Sequence, residues 1–400
     1  MSRQERADFR SSFDQRPAAP RLAIFVLLIA TALLGVHVDA LAQSGPSGPA
    51  SARSEGAPRK QASENRYTAG FVTGAPYSTE FAMVQEIATV LARGQETGPH
   101  GEMALRVLPM VGTGGVRNIS DVLTLAGADM AIAPVILANR VRDAGTFGDI
   151  RRKLVYIALL HTQEFHLLVR PEVKTVADLQ GKTISLGEEG GSADLLGREV
   201  LDALGAKIKP VNMDLDTALD GMQRGQLAAA LVLSGKPVKP LLGINARLEG
   251  FRFLPIPYAQ ALQRDYLPSS LAHADYPNII ADGESVGTIA IQSALFVYNW
   301  PAGSARFELL KSFTETFFLR FSEFLGDDHH PKWREVTLGA QLPGWERFRP
   351  AERWLARQTT GQAGVRNATP NGPNAAGASS DQEEKLFREF LRWRERQQAK

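Results

Sequence analysis

The chain has 400 residues, of which 44% are hydrophobic and 22% are charged, and its formal net charge at pH 7 is +2. This composition is ordinary for a soluble globular protein, and the length allows two domains of roughly 100–200 residues each. The nearly balanced charge excludes the concentrated basic surface of a nucleic-acid-binding protein. The absence of cysteine excludes thiol catalysis, disulfide bonds and a lipid anchor on a cysteine.

The first 42 residues have the pattern of a secretory signal peptide. Arg21 precedes an uncharged apolar run from Leu22 to Val36, and Ala40-Leu41-Ala42 supplies an A-x-A cleavage site. The run is shorter than the about 17–25 apolar residues that span a membrane. We therefore predict cleavage after Ala42 and a periplasmic location, with an uncleaved N-terminal anchor as the alternative. Residues 43–65 are rich in Gly, Ser, Pro and Ala and are predicted to form a flexible linker.

From residue 66 onward, predicted strands and helices alternate, which is typical of a mostly parallel α/β sheet. Residues 105–134 and 206–235 repeat one pattern of strand, polar loop, amphipathic helix, glycine and strand. Gly127 and Gly225 follow the two helices, where a left-handed C-cap favours glycine. The repeat predicts two lobes with a ligand cleft between them. We assign the first part of lobe 1 to residues 66–162, lobe 2 to residues 163–256, and the return to lobe 1 with further helices to residues 257–357.

The C-terminal segment is predicted to be separate from both lobes. Residues 358–379 contain few large apolar side chains, so we expect a disordered spacer. The capping-box pattern of Ser380 and Glu383 then predicts an amphipathic helix over residues 380–400. This helix either docks on its own protein or binds a partner or a membrane surface.

Three glycine-containing loops, at residues 73–79, 111–118 and 187–192, connect predicted strands to predicted helices. Ligands of open α/β sheets bind at such loops, where helix N-termini attract anions. The alternative is that the glycines only shape turns. Candidate ligand-binding residues of lobe 1 are Gly74, Tyr77, Ser78, Thr79, Thr113, Gly114, Gly115, Arg117 and Asn118. Candidates from the remainder of the cleft are Glu164, Gly190, Gly191, Ser192 and Ser234.

We expect these loops to hold a carboxylate, with Thr113, the backbone of Gly114 and Gly115, and Asn118 as its contacts. Ser192, the predicted N-cap of its helix, would close on the ligand from the second lobe. Arg117 either pairs with the anion or points to solvent. Because Glu188 and Glu189 disfavour a strongly anionic ligand, an amino acid suits the cleft better than a phosphate does.

Signals for catalysis and for metal binding are weak in this sequence. It contains neither a G-x-S-x-G motif nor a P-loop. His161 and His166 lie five residues apart on predicted strands, so they would not face one metal ion. We interpret Asp327-Asp328-His329-His330 as a solvated cap after a helix. The expectation is a protein that is not an enzyme and has no metal and no cofactor.

Several segments resemble the TAXI class of solute-binding proteins that serve TRAP transporters. Residues 73–79, T-G-A-P-Y-S-T, resemble its G-x-x-x-S/T segment, and residues 112–118, G-T-G-G-V-R-N, are similar to its T-G-G-S-x-x-N loop. Further similar segments, at 127–132, 176–187, 266–268 and 276–277, extend the resemblance over roughly residues 66–325. The loop at residues 187–193 and the segment at 225–229 depart from the family pattern, which puts the ligand in doubt more than the fold.

This resemblance implies an α/β fold, the two-lobed periplasmic-binding-protein fold with a hinge and an interlobe ligand cleft. It implies a monomer that captures a small carboxylate or amino acid by lobe closure and delivers it to the two membrane subunits of a TRAP transporter. Two alternatives stay open: an exported ligand-binding sensor or scaffold protein that uses the same fold, and an exported enzyme of unrecognised type.

We expect the exported chain to begin at Gln43, because small residues occupy both positions of the A-x-A site. Intact-mass measurement of the exported protein should give the mass of residues 43–400. A membrane-bound chain that retains residues 1–42 would contradict this prediction and favour the anchor.

Overall fold

The computed structural model describes residues 66–93, 105–243 and 250–366. The strands are β1 Thr68–Val72, β2 Arg106–Met110, β3 Met130–Pro134, β4 Leu154–Val169, β5 Thr183–Ser185, β6 Lys209–Val211, β7 Ala229–Ser234, β8 Arg252–Phe253, β9 Leu267–Ala272 and β10 Ser285–Tyr298. The α-helices are α1 Thr79–Ala92, α2 Gly115–Thr124, α3 Val135–Ala144, α4 Ser192–Ala203, α5 Leu215–Gln223, α6 Lys239–Leu242, α7 Ala305–Leu319 and α8 Arg349–Arg366. Short 3₁₀ helices cover Val176–Leu179, Gln260–Leu262, Phe321–Leu325 and Pro331–Glu335.

The signal peptide, the linker and the C-terminal helix that the sequence predicts lie outside these described ranges. Helix α8 continues to Arg366, past residue 358, where the sequence analysis places the start of a disordered spacer. All contacts discussed below belong to the compact unit that ends at Glu352.

Local sequence signals explain where several helices begin and end. The side chains of Ser78, Asp214 and Ser304 each accept a hydrogen bond from the third backbone N–H that follows, at 3.2, 2.9 and 3.2 Å. These contacts satisfy backbone donors that have no partner inside a helix. Gly127 and Gly225 have φ angles of 86° and 75°, which confirms the left-handed conformation predicted for both.

The strands form one mixed sheet in the order β2-β1-β3-β10-β4-β7-β5-β6, with β9 on β10 and β8 on β4. At one end β1 is parallel to β2 and β3, and at the other end β5 is parallel to β6 and β7. Each parallel group carries its own helices, so the α/β fold has two lobes. One cluster of buried side chains contains Val72 and Ala131 of the first lobe together with Phe165 and Leu231 of the second.

Two long antiparallel strands, β4 and β10, connect the lobes. β4 pairs with β10 from Leu154 to Glu164 and with β7 from Glu164 to Val169. β10 pairs with β9 at its start and with β3 at its end. Two register shifts interrupt the pairing of β4 with β10, near Gln292 and near Leu295. Both strands cross between the lobes, and they form the natural position for a hinge.

The sequence predicts two separate strands, Leu154–Leu160 and Phe165–Val169, where β4 is continuous. The polar residues of its middle, His161 to Glu164, suggest a break, but three of their side chains have partners from distant parts of the chain. Gln163 donates to the Ser293 hydroxyl at 2.8 Å, and Thr162 donates to Glu335 at 2.9 Å. Because tertiary contacts satisfy these polar groups, the strand continues through the polar segment.

A buried ion pair lies at the middle of β4. The Lys332 ammonium is 2.6 Å from Glu164 Oε1 and 2.6 Å from Glu335 Oε1, and it donates to Thr162 at 3.0 Å. The other oxygen of Glu164 accepts the backbone N–H of Lys236, just after β7, at 3.1 Å. Burial raises the pKa of Glu164, and Lys332 opposes that effect only in part. The segment before α8 is thereby fixed to the hinge strand.

Replacing Lys332 with methionine should leave the Glu164 carboxylate buried without its countercharge. We expect the free energy of unfolding to fall by roughly 3–5 kcal/mol. Urea denaturation of the variant checks this. The matched control is K311M, because Lys311 forms an exposed pair with Glu308 at 3.1 Å, and we expect a change below about 1 kcal/mol there. Equal losses of unfolding free energy in K332M and K311M would contradict the conclusion that the buried Lys332 ion pair stabilises the hinge at β4.

Candidate functional site

A small cavity of about 60 Å³ lies between the two lobes, at the carboxyl ends of β1, β3 and β7. Its lobe 1 lining comes from the loops before α1 and α2, and its lobe 2 lining comes from the loop before α4 and from the end of β7. The predicted site residues that line it are Gly74, Tyr77, Ser78, Thr113, Gly114, Gly115, Asn118, Gly191 and Ser192.

Two helix N-termini border this cavity from opposite lobes. The N-cap of α2 is Gly114 and that of α4 is Gly191, and neither makes a side-chain capping hydrogen bond. Ser192 is therefore the first residue of α4, and its predicted role as N-cap is wrong. The first backbone N–H groups of a helix carry partial positive charge and favour an anion. Both helix ends can contribute such groups to one small ligand.

Glycine allows the two loops to approach each other closely. Gly114 and Gly115 have φ angles of 79° and 61°, which other residues rarely adopt. A Cβ atom on Gly115 would lie 3.0 Å from the Ser192 nitrogen of the other lobe. A Cβ atom on Gly191 would lie 2.8 Å from the Thr113 carbonyl oxygen. The lobes are thus closed on each other, and glycine is required at their contact.

The acidic side chains Glu80 and Glu188 also line the cavity, whereas its lining within the described ranges includes no lysine, arginine or histidine. Glu80 is only 5% exposed, and its Oε1 lies 3.3 Å from Nε2 of the fully buried His161. Burial alone would raise the pKa of Glu80, but His161 and hydrogen bonds that include one from Ser78 bring it below its ordinary value. Glu80 is therefore ionised near neutral pH.

Tyr77 lies beside these carboxylates at the same loop. Burial, together with the negative charges of Glu188, Asp214 and Glu80, raises the pKa of Tyr77 to about 12. Its hydroxyl stays protonated at physiological pH and is available as a hydrogen-bond donor.

The Asn118 side chain holds the lobe 1 loop in shape. It donates to the Thr73 carbonyl at 2.9 Å and to the Ile132 carbonyl at 3.3 Å, and its oxygen accepts the Gly114 N–H at 3.2 Å. Both amide protons therefore have partners in the protein. Asn118 positions Gly114 and Gly115, rather than offering its amide to a ligand as the sequence analysis expects.

The remaining predicted site residues do not line the cavity. Thr79 and Ser234 connect the lobes, because the Thr79 N–H donates to Ser234 Oγ at 3.0 Å and its hydroxyl donates to the Gly235 carbonyl at 2.6 Å. Glu164 is occupied by Lys332. The Arg117 side chain is 68% exposed and pairs with Asp121, so of the two predicted roles it has the one in which it points to solvent. The Gly190 N–H donates to Asp194 at 3.0 Å, within its own loop.

Sequence reasoning missed several lining residues, namely Ala75, Glu80, Ile132, Pro134, Gln163, Gly187, Ala193, Leu231, Val232 and Leu233. Glu80 had a usable signal, because an acidic residue two positions after a helix N-cap is adjacent to a predicted ligand loop. Ile132, Leu231 and Leu233 are indistinguishable in sequence from ordinary core residues. Glu188 was considered for its charge and does lie at the cavity.

A second, more open groove of about 890 Å³ lies between α3, α4 and the segment near Tyr266. Arg140 of α3 and Glu199 of α4 form an ion pair across it at 2.6 Å. The Tyr266 hydroxyl donates to the same Glu199 carboxylate at 3.2 Å. This ion pair adds an electrostatic contact to the closed arrangement of the lobes.

Across the ranges that the structure describes, no group of three or more His, Cys, Asp or Glu residues could hold a metal ion. Within those same ranges, no helix has the length and apolar character needed to cross a membrane. The apolar run at Leu22 to Val36 lies outside them.

The sequence from residue 71 to residue 328 matches the NMT1-like family. The chain belongs to the NMT1-like family. No curated protein matches the chain.

Among solved structures, the alkanesulfonate-binding protein SsuA from Xanthomonas axonopodis pv. citri, bound to MOPS, is similar to this member of the NMT1-like family. Its sequence identity is 15%, the match covers 72% of this chain and 83% of that one, and the TM-score is 0.39. The P235GK mutant of ArgBP from T. maritima has 13% identity, with coverage of 69% and 98% and a TM-score of 0.40. The substrate binding protein of an amino acid ABC transporter has 14% identity, with coverage of 67% and 96% and a TM-score of 0.36.

Replacing Gly191 with alanine should hold the lobes apart, because the new Cβ would meet the Thr113 carbonyl oxygen of the other lobe at 2.8 Å. Within its own loop the Cβ would lie 3.0 Å from the Glu188 carbonyl oxygen, which a shift of a few tenths of an ångström relieves. Gly191 has φ −71°, so alanine fits its backbone conformation. We expect the radius of gyration from small-angle X-ray scattering to increase, with little loss of melting temperature. The matched control is G243A, since Gly243 has φ −93° and open space around its Cβ position. An unchanged radius of gyration in G191A would contradict the interlobe role of this contact.

Proposed function

We propose that this chain is the extracytoplasmic solute-binding subunit of a transporter, and that it captures a small carboxylate or amino acid between its lobes. The single observation that carries the proposal is the convergence of two uncapped helix N-termini, those of α2 and α4, on one interlobe cavity. A ligand that bridges them stabilises the closed state, because it gains contacts from both lobes only after closure.

The closure contacts support a hinged binding cycle. Thr79 bonds to Ser234 and Gly235, and Arg140 pairs with Glu199, so several polar contacts across the cleft form together. The paired strands β4 and β10 connect the lobes, and two register shifts interrupt their pairing. The cleft opens when these contacts break, which admits the solute.

The cavity lining favours binding over catalysis. Its hydroxyl groups belong to Tyr77, Ser78, Thr113 and Ser192, and within the described residues no histidine or lysine lines the cavity to activate them. Ser78 also accepts the Phe81 N–H as a helix cap. We therefore propose a role that is not enzymatic.

The motifs at residues 73–79 and 112–118 favour the TAXI class and a TRAP transporter within this proposal. The ligand would then pass to two membrane subunits. Two of the similar structures named above are an alkanesulfonate-binding protein and the substrate binding protein of an amino acid ABC transporter. The experiments therefore have to distinguish a TRAP transporter from other transporter types.

A panel of small carboxylates and amino acids, screened by thermal unfolding of the purified chain, tests the binding function. A ligand at a hundred times its dissociation constant should add about 2.7 kcal/mol to the free energy of unfolding. G191A should bind that ligand at least about tenfold more weakly, because closure is obstructed. Absence of any stabilising solute in the panel would count against the proposal.

Uptake measurements test the transport role. Cells that lack this chain should lose accumulation of the stabilising solute, and the chain restored in place should recover it. Binding without any effect on uptake would favour a sensor or scaffold instead.

A further inference from the structure

Glu80 places a buried negative charge at the interlobe cavity. The binding of a carboxylate at the N-termini of α2 and α4 does not require such a charge. Glu80, at the start of α1, lines the cavity and is 5% exposed. Its Oε1 is inaccessible and faces the His161 ring, 3.3 Å from Nε2. Its other oxygen, Oε2, lies on the side of Gly74, which also lines the cavity, at 3.5 Å from the position that a Cβ on Gly74 would take. This oxygen is the one that a ligand in the cavity can approach.

The surroundings keep Glu80 charged. His161 lies behind it and is fully buried, and neither of its ring nitrogens has a hydrogen-bond partner among the described residues. Burial raises the pKa of Glu80, but the interaction with His161, together with smaller contributions that include Ser78, brings the pKa below its ordinary value. His161 therefore acts as a positioning residue that orients the carboxylate, while the opposite side of Glu80 borders the cavity.

The cavity consequently has two electrostatic poles. The uncapped N-termini of α2 and α4 provide partial positive charge. Glu80 provides a full negative charge, and Glu188 adds a more exposed one at the same cavity. A volume of about 60 Å³ brings both poles within reach of one ligand that has few heavy atoms.

We infer that Glu80 is the specificity-determining residue of this cavity and that it receives the ammonium group of a small zwitterion, an α-amino acid, whose carboxylate lies at the N-termini of α2 and α4. This inference rests on the proposed binding function and narrows its ligand. A carboxylate that lacks a cationic group would bring a second negative charge beside Glu80 without neutralising it. The charge of Glu80 therefore acts in two ways, since it attracts an ammonium group and repels a ligand whose only charge is a carboxylate.

Titration calorimetry with matched ligand pairs tests the inference. The probes are glycine, L-alanine and L-glutamate, each compared with the counterpart that lacks the amino group, namely acetate, propionate and glutarate. We expect the wild-type chain to bind at least one amino acid about tenfold or more tightly than its counterpart. The E80Q variant, which keeps the shape and removes the charge, should lose at least about tenfold in amino-acid affinity and bind the counterpart no more weakly than the wild type does.

Two further variants separate a charge effect from a structural one. E80D keeps the negative charge, so it should retain a preference for the amino acid even if both affinities fall. E189Q removes an exposed charge of the adjacent loop that does not line the cavity, so the preference should stay unchanged. Equal loss of preference in E80Q and E80D would mean that Glu80 acts only on the fold, which overturns the inference.

The remaining outcomes are distinguishable from failure of the proposed function. Carboxylates that bind as tightly as amino acids, or a preference that survives in E80Q, overturn the role of Glu80 and leave solute binding intact. If the wild-type chain binds neither series, both the proposed function and the inference are overturned.

Discussion

The two-lobed architecture depends on the antiparallel pairing of β4 and β10, since these strands alone among the elements described here belong to both lobes. Their middle carries polar side chains in a buried position, which is costly unless every group has a partner. Lys332, Glu335 and Ser293 supply partners for Glu164, Thr162 and Gln163, whereas the only ion-pair partner of His161 among the described residues is Glu80, at 3.3 Å. Strand β4 is thus continuous because residues far along the chain bind the polar side chains of its middle. A purely apolar strand would span the same distance without binding the segment that precedes α8.

Polar groups around the cleft fall into two classes according to whether the protein satisfies them. The first class already has hydrogen-bond or ion-pair partners that shape loops, close the lobes or stabilise the hinge, and it comprises Asn118, Thr79, Ser234 and Glu164. The N-termini of α2 and α4 have no side-chain cap, and Glu80 lines the cavity with His161 beside its Oε1.

Glycine has a different purpose at each of the two opposed loops. Gly114 and Gly115 need left-handed backbone conformations to begin α2. Gly191 has an ordinary conformation but no room for a side chain, because the Thr113 carbonyl of the other lobe lies too close. Backbone groups can then meet across the cleft with no side chain between them, so closure brings the two helix ends to a single small volume.

The amino-acid sequence by itself determined the alternation of strands and helices, the left-handed glycines at 127 and 225, and the loops that border the cavity. These features follow from local rules, namely hydrophobic periodicity, capping and the conformational freedom of glycine. Only the tertiary structure decided which polar residues of those loops remain available. Glu164 forms a buried ion pair with Lys332, which is 168 residues away along the chain. Glu80 instead lies at the cavity, with the His161 side chain behind it. Sequence patterns report spacing along the chain, but the partner of a buried charge is set by contacts between segments that no local pattern connects.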